Sequence, residues 1–230
     1  MTGATMPATL IFDLDGTLID SADQLGLALN RLLAEWGREP VSGDVVRRSI
    51  GDGVRPLVER GFAATGPALA KAETGPAVAR FLALYADLPA DPACLYPGVP
   101  ETLRRLAGAG HAMGLCTNKP WRITRGILAG LGLDPFFAMV VGGDSLPQRK
   151  PAPEPLLAVI AGLRGTTAEA VMIGDGPNDV AAARAAGIPV IALTYGYPLG
   201  SPADLSADLL IDRFTDLPDA LETVSGRRRS

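Results

Sequence analysis

What most constrains this chain is an alternation. Short, wholly apolar runs that end in polar residues are separated by stretches of helical periodicity. Thr9 to Phe12 reads as a buried strand, followed by "HAMGLCTN", "FAMVVGGD", "AVMIGD", "PVIALTY" and a last run near "DLLIDR". Fully apolar strands joined through helices predict a parallel sheet covered on both faces, an α/β, Rossmann-like doubly wound core. In such sheets ligands bind at the carboxyl ends of the strands. Asp13 and Asp15 follow the first run, Thr117 and Asn118 the second, Asp144 the third and Asp175 the fourth, while Lys150 precedes the helix after the third. The topology therefore gathers scattered positions at one edge.

The alternation is interrupted once. From about residue 20 to 91 no strand pattern occurs, and Leu25, Ala28, Leu29, Leu32, Leu33 and Trp36 recur at helical spacing. Ser21 with Gln24 three residues later forms a capping-box signature for that helix, and Ser42 marks a second start. Arg55 to Phe62 reads as helical, and Val78, Phe81, Leu82, Tyr85 and Leu88 form a further apolar stripe. The division is thus a Rossmann-like core of residues 1–19 and 92–230, with a helical cap of residues 20–91 inserted after the first strand. Leaving the core just past the first strand end, the cap is expected to lie over that loop as a lid.

Two carboxylates one residue apart in "LIFDLDGTLIDS" raise each other's pKa unless a cation meets them. A single Asp at a strand end is commonly a turn or cap residue. The tetrad DxDGT, however, arises by chance in roughly one chain of this size in a thousand. Asp13, Asp15 and Asp175 converging with Lys150 suit magnesium, a hard ion that takes one or two carboxylates, waters and substrate phosphate oxygens.

Composition narrows the partners. With 47% hydrophobic residues in 230, the chain buries a substantial core. Its net charge of −4 gives no general attraction to nucleic acid or anionic membrane, and the Arg227–Arg229 run is expected to be a solvated tail. No apolar run reaches about 18 residues and no leader pattern is seen, so a cytoplasmic protein is expected. Cys94 and Cys116 make no disulfide framework and are expected to be buried thiols, and His111, the one histidine, is expected at the surface.

Through "FDLDGTLIDS", "CTNK", "RKPAPEP" and "GDGPNDV" the sequence resembles the haloacid dehalogenase superfamily across nearly its whole length. More narrowly, "SIGDGVRPLVERGF", "YPGVPETL", "VVGGDSLPQRKPAPEPLL" and "LTYGYP" are similar to the bacterial phosphoglycolate phosphatase group within it. The resemblance implies a magnesium-dependent phosphomonoester hydrolase acting through an aspartyl phosphate, with 2-phosphoglycolate, a small phosphorylated metabolite, as substrate. It implies Asp13 as nucleophile and Asp15 as general acid and base. Thr117 and the Asn118 N–H would hold phosphoryl oxygens, and Lys150 would balance charge. Asp13, Asp175 and the backbone carbonyl of Asp15 would bind the metal, with Asp179 behind them. Apart from the resemblance, the turn at Gly51 and Gly53 lacks side chains and opens a cap helix, so its exposed N–H groups are expected to meet a small anion such as a carboxylate, with Arg55, which the family pattern does not require, a further candidate. Asp144 is either a neighbour of the metal or a loop acid. Gly176 departs from the narrower pattern, which often has Ser there. A dehalogenase would not need Asp15; a sugar phosphate mutase of the superfamily, another small-ester phosphatase and a silent binding module stay open.

Overall fold

In the computed structural model, which describes residues 8–197 and 200–229, six strands form one parallel sheet. They are β1 (Thr9–Phe12), β2 (Ala112–Cys116), β3 (Met139–Val141), β4 (Ala170–Gly174), β5 (Val190–Leu193) and β6 (Leu209–Ile211), in the spatial order β3-β2-β1-β4-β5-β6. β1 and β4 are buried along their whole length, which is why they read as unbroken apolar runs. β1 lies between β2 and β4, with Phe12 opposite Leu115 on one side and Ile173 on the other. This register sets Asp13, Thr117 and Asp175 side by side at one edge.

Nine helices are described: α1 (Ala22–Glu35), α2 (Gly43–Arg47), α3 (Val54–Ala64), α4 (Lys71–Ala86), α5 (Val99–Gly108), α6 (Trp121–Gly130), α7 (Glu154–Gly162), α8 (Pro177–Ala186) and α9 (Leu217–Arg229). One face of the sheet packs Leu10, Phe12 and Ile173 against residues of α5 and α9, with Phe12 edge-on to Phe137. The other packs Ile11, Met172 and Val190 against α7 and α8. Each large side chain buried this way stabilises by about 1.5–3 kcal/mol. α1–α4 contribute most of a separate apolar cluster, in which Leu29, Leu32 and Leu33 lie with Phe62 and Phe81, and which Tyr197, together with Ile123 and Ile127 of α6, joins from the sheet side. No strand lies between Phe12 and Ala112 among the described residues.

Local expectations fail at four points. Ser21 makes no capping bond: its backbone is already helical, its hydroxyl is buried without a partner, and the Ala22 N–H goes to Asp20 and to the Tyr197 hydroxyl. Cys94 is half-buried, since it ends a 3-10 turn on the return from α4 to the core. The backbone of α9 continues through Arg229, so the arginine run extends a helix docked on the sheet by Leu217, Leu221 and Val224. His111 is half-buried, its Nδ1 accepting the Ala8 N–H. Cys116 is buried as expected, and burial pushes its thiol up to about 12. Pro198 of "LTYGYP" and the first seven residues lie outside the described part. No described helix is long and apolar enough to cross a membrane.

Candidate active site

β1 ends by delivering Asp13 into a buried position, and the chain then turns through Gly16 at φ +86°. A Cβ on Gly16 would stand 2.2 Å from Asp175 Oδ2, so the turn can cross the β4 end only without a side chain. Asp175 is fixed at both oxygens, Oδ1 accepting from the Thr17 hydroxyl at 2.8 Å and Oδ2 from the Tyr197 N–H at 2.8 Å.

Lys150 is buried among acids. Its Nζ donates to Asp179 Oδ1 at 2.6 Å and to the Cys116 carbonyl at 2.7 Å. It also lies 2.9 Å from Asp13 Oδ1, but off hydrogen-bond geometry, so that oxygen is buried without a hydrogen bond. Asp179 uses its other oxygen for the N–H groups of Asp175 and Gly176. Gly176 is thereby engaged through its backbone, with no side chain needed. Although Asp13, Asp175 and Asp179 bring oxygens within 4.8 Å of one another, Asp179 is occupied on both oxygens and serves to hold Lys150 and the β4 end. The open oxygen belongs to Asp13.

Burial raises the Asp13 pKa to about 6 against the opposing pull of Lys150, and burial with Asp179 and Asp13 nearby raises Asp175 well above the carboxylate range. Four carboxylates (Asp13, Asp15, Asp175, Asp179) share this edge with two ammonium groups (Lys119, Lys150). The surplus of two negative charges and the unbonded Asp13 oxygen fit a divalent cation, whose charge would reverse both shifts.

Asp15 turns away from this acid cluster. Lys119 Nζ grips it bidentately, at 2.8 and 2.9 Å, and lies 4.8 Å from the centre of the Tyr85 ring. Thr117 is buried at the end of β2, where its hydroxyl oxygen accepts the Lys119 N–H and leaves its O–H to donate elsewhere. Asn118 bridges two parts of the molecule, donating to the Gly51 carbonyl at 2.8 Å and the Lys150 carbonyl at 2.9 Å. Asn178 at the start of α8 also donates to the Gly51 carbonyl and to Asp52. The Gly51–Gly53 turn is thus latched onto the strand ends. Gly51 and Gly53 line the cavity that holds Asp15, Thr117 and Lys119.

Two candidates stand apart. Arg55 is exposed and pairs with Glu59, because it points outward from the first turn of α3. Asp144 is exposed and accepts the Trp121 N–H at 2.7 Å, a loop acid holding the start of α6. Lys119, Tyr85, Asn178 and Tyr197 are site residues that the sequence reading did not single out. Lys119 had a signal, a cationic residue directly after the Thr-Asn strand end, and Asn178 and Tyr197 lie within the segments "GDGPNDV" and "LTYGYP"; Tyr85 reads only as part of an apolar stripe.

Residues 7–187 match the family model described as haloacid dehalogenase-like hydrolase, and the chain belongs to that family. Relatives narrow this further. The chain is 46% identical over 222 residues to a phosphoglycolate phosphatase of Rhodospirillum rubrum, covering 94% of this chain and 91% of the relative. It is 43% identical over 218 residues to one of Caulobacter vibrioides, covering 94% and 92%. A crystal structure of a predicted phosphoglycolate phosphatase from Haemophilus somnus superposes with a TM-score of 0.87 at 31% identity, over 95% of this chain and 99% of that one. The protein is a phosphomonoester hydrolase.

Proposed function

We propose that the chain hydrolyses 2-phosphoglycolate to glycolate and phosphate with magnesium, through an aspartyl phosphate on Asp13. The observation that carries the reading is the unbonded, buried Asp13 oxygen at the end of the central strand, with a second, separately held carboxylate two residues on. The names of the relatives supply the substrate.

In this reading Asp13 attacks phosphorus, needing no activating base because a carboxylate is ionised once its charge is met. Asp15 protonates the leaving alkoxide and then takes a proton from the water that opens the intermediate. Thr117 and the Asn118 N–H hold phosphoryl oxygens, and Lys150 offsets their charge. The carboxylates of Asp13 and Asp175 and the backbone carbonyl of Asp15 would hold magnesium, which supplies positive charge against the phosphoryl group. Asp179 keeps Lys150 and the β4 end in place. Residues 20–91 act as a cap whose Gly51–Gly53 turn closes over the leaving group; the bonds from Asn118 and Asn178 to Gly51 support this. Monoester hydrolysis is among the slowest uncatalysed reactions, so positioning and charge neutralisation provide most of the acceleration.

The test is a screen of phosphate esters with magnesium and with EDTA. Activity should vanish with EDTA, fall at least about a thousandfold in Asp13→Asn, and be highest in kcat/KM for 2-phosphoglycolate. A sugar phosphate ranking above it would refute the substrate, and full turnover by Asp13→Asn would refute the mechanism.

A further inference from the structure

The cavity between the strand ends and the α3 turn contains one cation whose bonds are incomplete. Lys119 is buried, and its ammonium has three N–H donors, of which two go to the oxygens of Asp15. Lys150, the cation of the neighbouring cavity, already contacts Asp13, Asp179 and the Cys116 carbonyl. Lys119 faces the cap rather than the acid cluster, beneath the Tyr85 ring and beside Gly53 and Thr117. The Tyr85 hydroxyl is buried in this same cavity, close enough to the Lys119 ammonium for the two to interact, and its O–H finds no acceptor.

A buried hydroxyl without a partner costs about 1–3 kcal/mol, so one that lines a cavity is poised for an acceptor brought by a ligand. A lysine N–H and a phenol O–H converging on one space are matched by an anion with two acceptor oxygens. Next to Asp15, the group that meets the leaving oxygen, the space takes what lies one carbon beyond that oxygen. We infer that Lys119 and Tyr85 read the carboxylate of the leaving group, making Lys119 the specificity-determining cation of this enzyme. The inference rests on the proposed mechanism and substrate. It deepens them by naming what distinguishes this ester from others that present the same phosphoryl group.

The test compares 2-phosphoglycolate with 2-hydroxyethyl phosphate, which has the same length and a similarly poor leaving group but no carboxylate. Any effect of Lys119 that runs only through Asp15 affects both esters alike. Lys119→Met should lower kcat/KM for 2-phosphoglycolate at least about a hundredfold, and for 2-hydroxyethyl phosphate no more than about tenfold, in keeping with the loss of a charge-assisted pair. Tyr85→Phe should raise KM for 2-phosphoglycolate several-fold more than for the neutral ester. Should Lys119→Met fail to fold, Lys119→Gln, which keeps donors for Asp15 without the charge, gives the same comparison. Equal losses on both esters, with wild-type preference for 2-phosphoglycolate intact, would overturn the role of Lys119 alone. If wild-type enzyme shows no preference between the two, the substrate reading falls and the inference with it.

Discussion

Replacing Asp13 by Asn should stabilise the metal-free protein at neutral pH while destroying its activity. Burial raises the Asp13 carboxyl from its ordinary value of 3.8 to about 6, so between those pH values the native state keeps a proton that the unfolded chain has released. Where the native state binds more protons, stability falls as pH rises. The rise corresponds to about 3 kcal/mol, absent below pH 3.8 and fully lost to the wild type above pH 6. Asn carries no such charge, and Lys150 still has Asp179 and the Cys116 carbonyl as partners. In EDTA, the melting temperature of Asp13→Asn minus that of wild type should therefore grow by about 6–12 °C between roughly pH 4 and pH 7.5, at the 2–4 °C per kcal/mol of a chain this size. Carboxylates remote from Asp13 titrate alike in both proteins and drop out of the difference, while Asp175, relieved of the Asp13 charge in the variant, shifts the difference in the same direction. Magnesium should then restore the wild type, by about 2.7 kcal/mol at a hundred times its dissociation constant, and stabilise the variant less. Parallel pH curves for the two proteins would refute the account of Asp13 as a buried carboxylate whose desolvation outweighs the pull of Lys150.

Three further outcomes follow from the geometry. Asp15→Asn should slow esters with poor leaving groups far more than p-nitrophenyl phosphate, and rapid-quench labelling should show phosphate accumulating on Asp13; equal slowing with no labelled intermediate would remove Asp15 from proton transfer. Gly16→Ala places a carbon against Asp175 in a left-handed turn, so magnesium affinity measured by calorimetry should fall at least about tenfold; unchanged affinity would show that the turn relaxes freely. Gly53→Val, at φ +91° and within 3.2–3.3 Å of Arg149 and the Asn118 carbonyl for its Cβ, should raise KM for 2-phosphoglycolate more than for p-nitrophenyl phosphate. Equal effects would make the turn purely structural.

The sequence by itself determined the sheet and the acids at its edge. Fully buried parallel strands have to be apolar throughout, so their positions and their polar ends are written in one dimension, and Asp13, Thr117 and Asp175 meet because β1 lies between β2 and β4. The helical interruption was equally plain, since α1 and α3 carry apolar stripes at helical spacing. The tertiary structure decided which partner each polar group takes. Ser21 carries a capping signature, yet Asp20 and Tyr197 supply the bonds, because Tyr197 arrives from the end of β5. Asp15 and Lys119 are 104 residues apart, and Asn118 and Gly51 67 apart. Such pairs join independently placed loops, and no periodicity records them. Backbone periodicity reflects what each element buries, whereas a charged or hydrogen-bonding tip reflects whichever element the fold brings within about 3 Å of it.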